Sequence, residues 1–475
     1  MKKIFTVILL LSIYINGGAQ NRNNIICRLG FTYEISQNNH WGKDKLVINS
    51  IYPYSSAELA GLKPYDVIEA IDGIAVTDVT EDDVTQLLNP ADKNEVLLTV
   101  YSIGSNEKQE IKVYKECKKA NTITEEQLAI AFNMYSLETT SERQFICPFR
   151  TTTTDDNIDF GAFKTFAFAP IDANNQTLET TINGYLQKEL TQKGLLLDTQ
   201  APDILVQTFY YFDKNPNYRG ANQVLVEKEA IFRYDLSYNR MEKLPFLSPQ
   251  AAESEAAYFL QLGIRLIDQK YIFDRVLWEC EASELLETAY RLEDYARIHI
   301  PLMCMQYPYV KYTKNVPFTV KKKSYNYTGI QYDIDRLEQV VEVDRNSPAY
   351  AAGVRPQDIV ERIGRHRMDR SAGAFTKSYK QFISHTMQFR DPKTMFTDAN
   401  GFKHCMLWDT FKYTQIADAV QQADYLSAFS YLYNFAPYIN PSGNNVCIFQ
   451  IKRGKEKKEI TIRPTIRAEV NIEIK

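Results

Sequence analysis

Apolar and polar residues alternate with a period of two near both ends of the chain, whereas the middle mixes that period with one of about 3.6. Residues 32–35, 46–51, 95–101 and 108–114 are rich in β-branched and aromatic side chains and read as strands. A helix interrupts them: Thr80 is its N-cap, Val84, Leu87 and Leu88 give its apolar face, and Asn89 with Pro90 ends it. Toward the C-terminus, residues 331–334, 339–343, 446–452 and 459–463 again alternate. In the middle, 163–169 and 204–210 read as strands and 263–268 with 276–282 as a hairpin, while Leu178, Ile182, Tyr185, Leu186 and Leu190 share one helical face that Gly194 terminates. That order predicts a mixed sheet with helices packed on it. A connector over 116–154 is predicted to carry one helix, 125–136, opened by a Thr124/Gln127 capping box.

The two ends are related. Ala57, Ala60, Gly61, Leu62, Pro64, Asp66, Ile68, Glu69 and Ile71 recur as Ala349, Ala352, Gly353, Val354, Pro356, Asp358, Val360, Glu361 and Ile363, a constant offset of 292 positions from Ala57 to Ala349. Ordered matches of such mixed chemistry mark an internal repeat. Ahead of each block lies a glycine between larger residues at the start of a strand: Leu29, Gly30 and Phe31 in the first, Thr328, Gly329 and Ile330 in the second. Glycine there lets consecutive N–H groups turn toward one point and form an anion-binding nest. A peptide's terminal carboxylate fits such a nest while the peptide pairs with the adjoining strand edge and a helix walls off its last side chain.

Those residues, in that order, resemble the PDZ domain in its bacterial arrangement, well over 27–115 and in broken form over 324–465. The resemblance implies a carboxylate loop at Leu29, Gly30 and Phe31, a peptide-pairing strand through Thr32, Tyr33 and Ile35, and ligand-facing helix positions Glu81, Thr85 and Leu88. In the second copy it implies a loop at Thr328, Gly329 and Ile330. Two departures stand out. The family usually has glycine between the matched proline and aspartate, where this chain has Tyr65 and Gln357. The second copy is also interrupted over about 365–440 by a stretch read as two helices, 374–389 and 415–433, whose own aromatics are a candidate filling for that groove. The middle region resembles the family known as domain of unknown function 4136, on Asp159, Phe160, Phe163, Lys164, Thr165 and Phe166, the turn at 193–195, 203–206, 266–268, and Leu277 with Trp278. This resemblance covers 155–312 and implies a fold and an envelope compartment but no activity.

Charge and composition narrow the partners. A net charge of −4 with only one short basic run, 452–458, gives nucleic acid no concentrated positive surface. Lys2 and Lys3, the apolar run 4–15 and the small residues up to Ala19 have the order of a secretory leader cleaved near Ala19, and no apolar stretch approaches the ~20 residues of a membrane span. Seven cysteines lack CxxC spacing; their odd count leaves at least one unpaired, and sequence does not distinguish a disulfide framework from buried small hydrophobes. No GxSxG elbow, HExxH, P-loop or dinucleotide fingerprint is present, so no catalytic residue, cofactor or metal site is expected.

The chain is therefore expected to be an α+β multidomain protein. Two PDZ-like β-barrel or sandwich modules with flanking helices would surround a central α/β domain with a mixed sheet. The function expected is that of a non-catalytic periplasmic or secreted adaptor of the bacterial cell envelope, binding peptides, protein C-termini or an envelope partner by strand addition. A structural scaffold whose PDZ-like folds bind nothing, and an envelope hydrolase or protease regulator, are the alternatives.

Overall fold

The computed structural model describes residues 25–125 apart from 53, 106 and 120–121. It further describes 142–364 apart from 156, 221–229, 249–250, 271–274, 309–313, 334–335 and 337, then scattered residues over 366–415, and 446–474. The expected leader and nearly all of the expected helices at 125–136, 374–389 and 415–433 lie outside the described residues.

The N-terminal module runs β1 (Ile25–Arg28), β2 (Phe31–Ile35), β3 (Leu46–Ile51), α1 (Ser56–Leu59), β4 (Val67–Ile71), β5 (Ile74–Ala75), α2 (Glu81–Leu88), β6 (Glu95–Tyr101), β7 (Gln109–Tyr114) and β8 (Glu116–Lys119). Its antiparallel sheet has the order β2-β3-β4-β6-β7, with β5 beside β4. The period-two pattern explains the packing: Val96, Leu98 and Val100 of β6 point inward to meet Leu46, Ile48, Ile68 and Ile71, and Val84 and Leu88 of α2 close the same core. Thr80 caps α2 as expected, its hydroxyl accepting from the Asp83 amide while the Asp83 carboxylate accepts from the Thr80 amide. β1 pairs with β8, and a Cys27–Cys117 disulfide crosses that pair and closes the module. Cys147, Cys280 and Cys304 are buried free thiols, the small-hydrophobe role that sequence left open beside the disulfides.

Beyond β9 (Thr122–Ile123) and β10 (Glu142–Cys147) comes the central domain, built from β11 (Phe149–Thr152), β12 (Thr165–Phe168), α3 (Gln176–Gln192), β13 (Leu196–Leu197), β14 (Ile204–Lys214), β15 (Ile231–Asp235), β16 (Arg240–Leu244), β17 (Tyr258–Asp268), β18 (Arg275–Leu286) and α4 (Leu292–Cys304). Its six-stranded sheet has the order β11-β18-β17-β14-β12-β13 and is mixed, since β12 runs parallel to both β13 and β14 while the remaining pairs are antiparallel. The sheet starts at Phe149, upstream of the boundary expected at 155, because β11 is needed to cover the outer edge of β18. A buried Arg233–Glu284 ion pair of 2.6 Å, joined by the Tyr295 hydroxyl at 2.7 Å, ties β15 and α4 to the sheet.

The last part comprises β19 (Val316–Tyr327), β20 (Ile330–Asp333), β21 (Val340–Val343), α5 (Pro348–Ala351), β22 (Ile359–Ile363), β23 (His366–Arg367), β24 (Cys447–Arg453), β25 (Glu456–Ile462) and β26 (Thr465–Ile474). They form the sheets β10-β19-β26, β21-β20-β9 and β23-β22-β24-β25. Around the expected helix, nearly all of which lies outside the described residues, the connector also contributes strands. It supplies β8 to the first module, β9 to the last, and β10 to a sheet that joins residues 142–147 to the end of the chain.

The N-terminal module and the central domain touch through residues that look costly in isolation. Tyr65, in the usual glycine position, has φ +72°. Such a backbone costs a non-glycine residue about 1–3 kcal/mol. Its side chain explains why it is kept: the hydroxyl donates to the Met305 carbonyl at 3.0 Å, and Lys193 Nζ lies 4.1 Å from the ring centroid while donating to Tyr307 O at 2.8 Å. Burial pushes the Lys193 ammonium down to about 8. Nearby, Gly194 has φ +100° and comes so close to the β6–β7 hairpin that an added Cβ would lie 2.8 Å from Ile103 O. Gly194→Ala is therefore expected to lower the unfolding free energy by about 1–3 kcal/mol in urea titration. An unchanged midpoint would show that the hairpin does not press on this turn.

Candidate functional site

In the first loop, Gly30 has φ +93°, and its carbonyl accepts from the Tyr52 amide at 2.7 Å and from Ser55 Oγ at 3.1 Å. A Cβ at Gly30 would lie 2.3 Å from Ser55 Cβ, so glycine is required both by the left-handed backbone and by the approach of the serine that caps α1. With the carbonyl held inward, the Leu29 and Gly30 amides meet no acceptor among the described residues. Beyond the loop, β2 pairs with β3 only, which leaves its outer edge unpaired among the described residues.

Most of the side chains expected at this site are gathered there. Leu29 and Leu88 are each 8% exposed and share the module core with Val84; Phe31 and Tyr33 pack against it with ring centroids 6.4 Å apart. Across the groove, the Tyr33 hydroxyl reaches Thr85 on α2 with the Glu81 charge close by, and burial raises its phenol above the ordinary value. Glu81 and Thr85 stand exposed on the helix. Thr32 shares a hydrogen bond with Ser50 Oγ at 2.6 Å on β3, so it is the strand's main chain that faces a ligand at that position. Ile35, 38% exposed, ends the edge.

The second loop repeats this geometry closely. Gly329 has φ +87°, its carbonyl accepts from the Asp344 amide at 2.8 Å, and a Cβ would lie 2.2 Å from Ser347 Cβ, the cap of α5. A register shift falls between Thr32 and Tyr33 in one strand and between Gln331 and Tyr332 in the other. Tyr65 and Gln357 share φ +72°, and the turns they belong to are closed alike, Lys63 N and Arg355 N each donating to the aspartate at 2.9 Å.

The environments differ. The outer edge of β20 is taken by β9, with Tyr332 opposite Ile123 and Asp333 opposite Thr122. Glu125 follows, and its carboxylate enters the nest: Oε2 accepts from the Thr328 amide at 2.8 Å and the Gly329 amide at 3.0 Å, and Oε1 accepts from the Thr328 hydroxyl. Glu125 is 5% exposed. Burial pushes its carboxyl up to about 7 against the pull of those three donors, and Asp344 adds to the rise. Among the described residues, the loop at Thr328, Gly329 and Ile330, expected as a second carboxylate loop, holds the connector's Glu125, while the insertion expected as a candidate filling of that groove lies mostly outside the described residues. Sequence did signal the two buttressing serines, Ser55 and Ser347, which obey the same 292 offset. Nothing signalled Glu125, which reads as an ordinary first-turn acid of a helix.

A nest of main-chain amides beside a strand edge and a capped helix defines a PDZ domain. Residues 21–101 match the PDZ domain family, and residues 150–309 match the family described as Domain of unknown function (DUF4136). The crystal structure of a PDZ domain protein from Parabacteroides distasonis is 66% identical, covering 95% of this chain and 100% of that chain with a TM-score of 0.76. The chain belongs to the family of that protein. The HtrA3 PDZ domain bound to a phage-derived ligand (FGRWV) is 12% identical, covering 20% of this chain and 90% of that chain at a TM-score of 0.17. A PelC dodecamer from Paraburkholderia phytofirmans is 12% identical, covering 35% of this chain and 95% of that chain at 0.15. No curated protein matches the chain.

The Glu125 contact sets a pH dependence whose sign is fixed by linkage. The docked carboxyl titrates at about 7 and an ordinary one at 4.5, so docking takes up a proton between those values. The contact is strongest below pH 4.5, weakens as pH rises to about 7, and is level above that. Around it, Tyr327 at the end of β19, Asp344 just beyond β21 and Cys447 from β24 face the same carboxyl. Hydrogen exchange over residues 328–333, corrected for intrinsic rates, is expected to quicken from pH 5 to pH 7 and not from 7 to 8.

Proposed function

We propose that the chain is a periplasmic or secreted adaptor of the bacterial cell envelope. In this reading its N-terminal PDZ domain binds extended peptides or protein C-termini by strand addition along β2, and residues 324–465 form a second PDZ copy. The supporting observation is the pair of loops. Thr328 and Gly329 donate two amides to a carboxylate, and their counterparts Leu29 and Gly30 hold the same backbone with no acceptor among the described residues. A carboxylate at the first nest would take the same two bonds, charge-assisted and worth about 1.5–3 kcal/mol each.

Side chains lining this groove give the ligand's character. Leu29, Phe31 and Leu88 offer an apolar surface to the last side chain. The acidic first turn of α2, with Glu81, Asp82 and Asp83, favours a basic residue upstream. The central domain, tied to the module through Tyr65 and Gly194, fixes where the groove points. In this role the chain needs no cofactor and no catalytic residue.

A scaffold without external ligands is the second reading, and it is favoured by the connector's seat on β20. Selection from a library of peptides displayed with free C-termini, against the full chain, separates the two. The best binder remade as an amide is expected to lose at least about tenfold in affinity, since one charge-assisted bond and its charge go with the acid. Equal affinity of acid and amide would remove the carboxylate mechanism, and an empty selection would favour the scaffold.

A further inference from the structure

The two copies share a turn but not its residue. Tyr54 and Asn346 stand one position ahead of the serines that press on Gly30 and Gly329, obey the same 292 offset, and have φ +60° and +61°. Asparagine takes that left-handed backbone readily, whereas a tyrosine takes it at a cost that its surroundings must offset. Two contacts hold Tyr54 there. Its amide donates to Glu58 Oε2 at 2.6 Å, and the guanidinium of Arg467 on β26 lies 4.4 Å from the centroid of its ring. The same guanidinium lies 3.3 Å from the centroid of the Tyr327 ring. Tyr327 pairs with Thr465 and Tyr325 with Arg467, so Tyr327 and Arg467 are diagonal neighbours on the β19–β26 ladder. One cation near the end of the chain thus meets a ring from each copy.

Each ring sits beside its own glycine loop. Tyr54 directly precedes Ser55, whose hydroxyl donates to Gly30 O at 3.1 Å. The Tyr327 hydroxyl would lie 3.2 Å from a Cβ at Gly329 and donates to Asp344 Oδ2 at 2.8 Å, while the Asp344 amide donates to Gly329 O. β26 also touches β3, the partner strand of β2. We propose that Arg467 is a positioning residue that couples the two glycine loops, so that loosening either one loosens the other. This goes beyond the reading above and rests on it only for the existence of a second copy, since no ligand of either groove enters the coupling. A guanidinium stacks on rings through its flat faces as well as its charge, so lysine is no substitute here. The seat on Arg467 also explains why the first copy keeps a tyrosine where the second has the residue suited to the turn.

The test is hydrogen exchange by mass spectrometry on the full chain without added ligand. Tyr54→Asn gives the first copy the residue of the second and relieves its backbone, so exchange over 95–101 in its own module is not expected to quicken. Exchange over 327–333 in the other copy is expected to quicken about threefold or more, from the lost guanidinium–ring contact. In the opposite direction, Tyr327→Leu is expected to quicken exchange over 54–59, whereas Tyr327→Phe, which keeps the ring and loses the bond to Asp344, leaves 54–59 as it was. Arg467→Lys, with the charge but not the flat faces, loosens both stretches. Variants that loosen only the copy they lie in overturn the proposal, and so does wild-type exchange in Arg467→Lys. Because Tyr54→Asn removes strain, a failure to fold cannot stand in for a result. Peptide selection against the unmodified chain is independent of these measurements, so the coupling and the adaptor reading stand or fall separately.

Discussion

The recognition geometry of this protein rests on a steric constraint: a loop glycine pressed against the serine that caps the next short helix. Gly30 against Ser55 and Gly329 against Ser347 leave no room for a Cβ, and both glycines take a left-handed backbone. The contact turns each glycine carbonyl inward, where an amide from the end of the neighbouring strand satisfies it. The amides must then face outward, beside a strand edge. A nest made this way needs no charged side chain, so its affinity for an anion comes from oriented dipoles held by packing.

A second constraint positions the nest in the molecule. The turn between the matched proline and aspartate takes the same left-handed backbone in both blocks, and neither has glycine there. In the first block the tyrosine's reach to Met305 and Lys193 compensates for that backbone and docks the domain on the helix ends of the central domain. Gly194 serves the same interface from the opposite side, where any side chain would meet Ile103. Strain at one residue and smallness at another thus serve a common end, a fixed angle between groove and central domain.

What could be read from the sequence follows from how local each feature is. Strands β2, β3, β6 and β7, the Thr80 cap, and the Gly194 stop of α3 are written in neighbouring residues and emerge as expected. The two glycine loops were legible because each precedes one of the two matched blocks, and a repeat exposes positions that a single copy would hide. The Cys27–Cys117 pair, the β10-β19-β26 sheet and the seat of Glu125 join residues far apart in the chain, and no periodicity encodes such pairings. The connector shows the limit most clearly: a glutamate after a threonine has the signature of a helix start, and that signature is silent about where the side chain will be bound.

The contrast between the two grooves has a thermodynamic side. A tethered segment pays little translational entropy to bind, so a short pairing with β20 and the Glu125 carboxyl add to a seat the chain already holds close. A free peptide at β2 pays that cost in full, and two amides alone do not repay it. A peptide bound as proposed would therefore draw further affinity from the walls of the first groove: a longer stretch of β2 edge as far as Ile35, the apolar floor at Leu29 and Leu88, and the Tyr33, Thr85 and Glu81 cluster across from it. On the proposed reading, selectivity on the N-terminal side would accordingly reside in the side chains of β2 and α2.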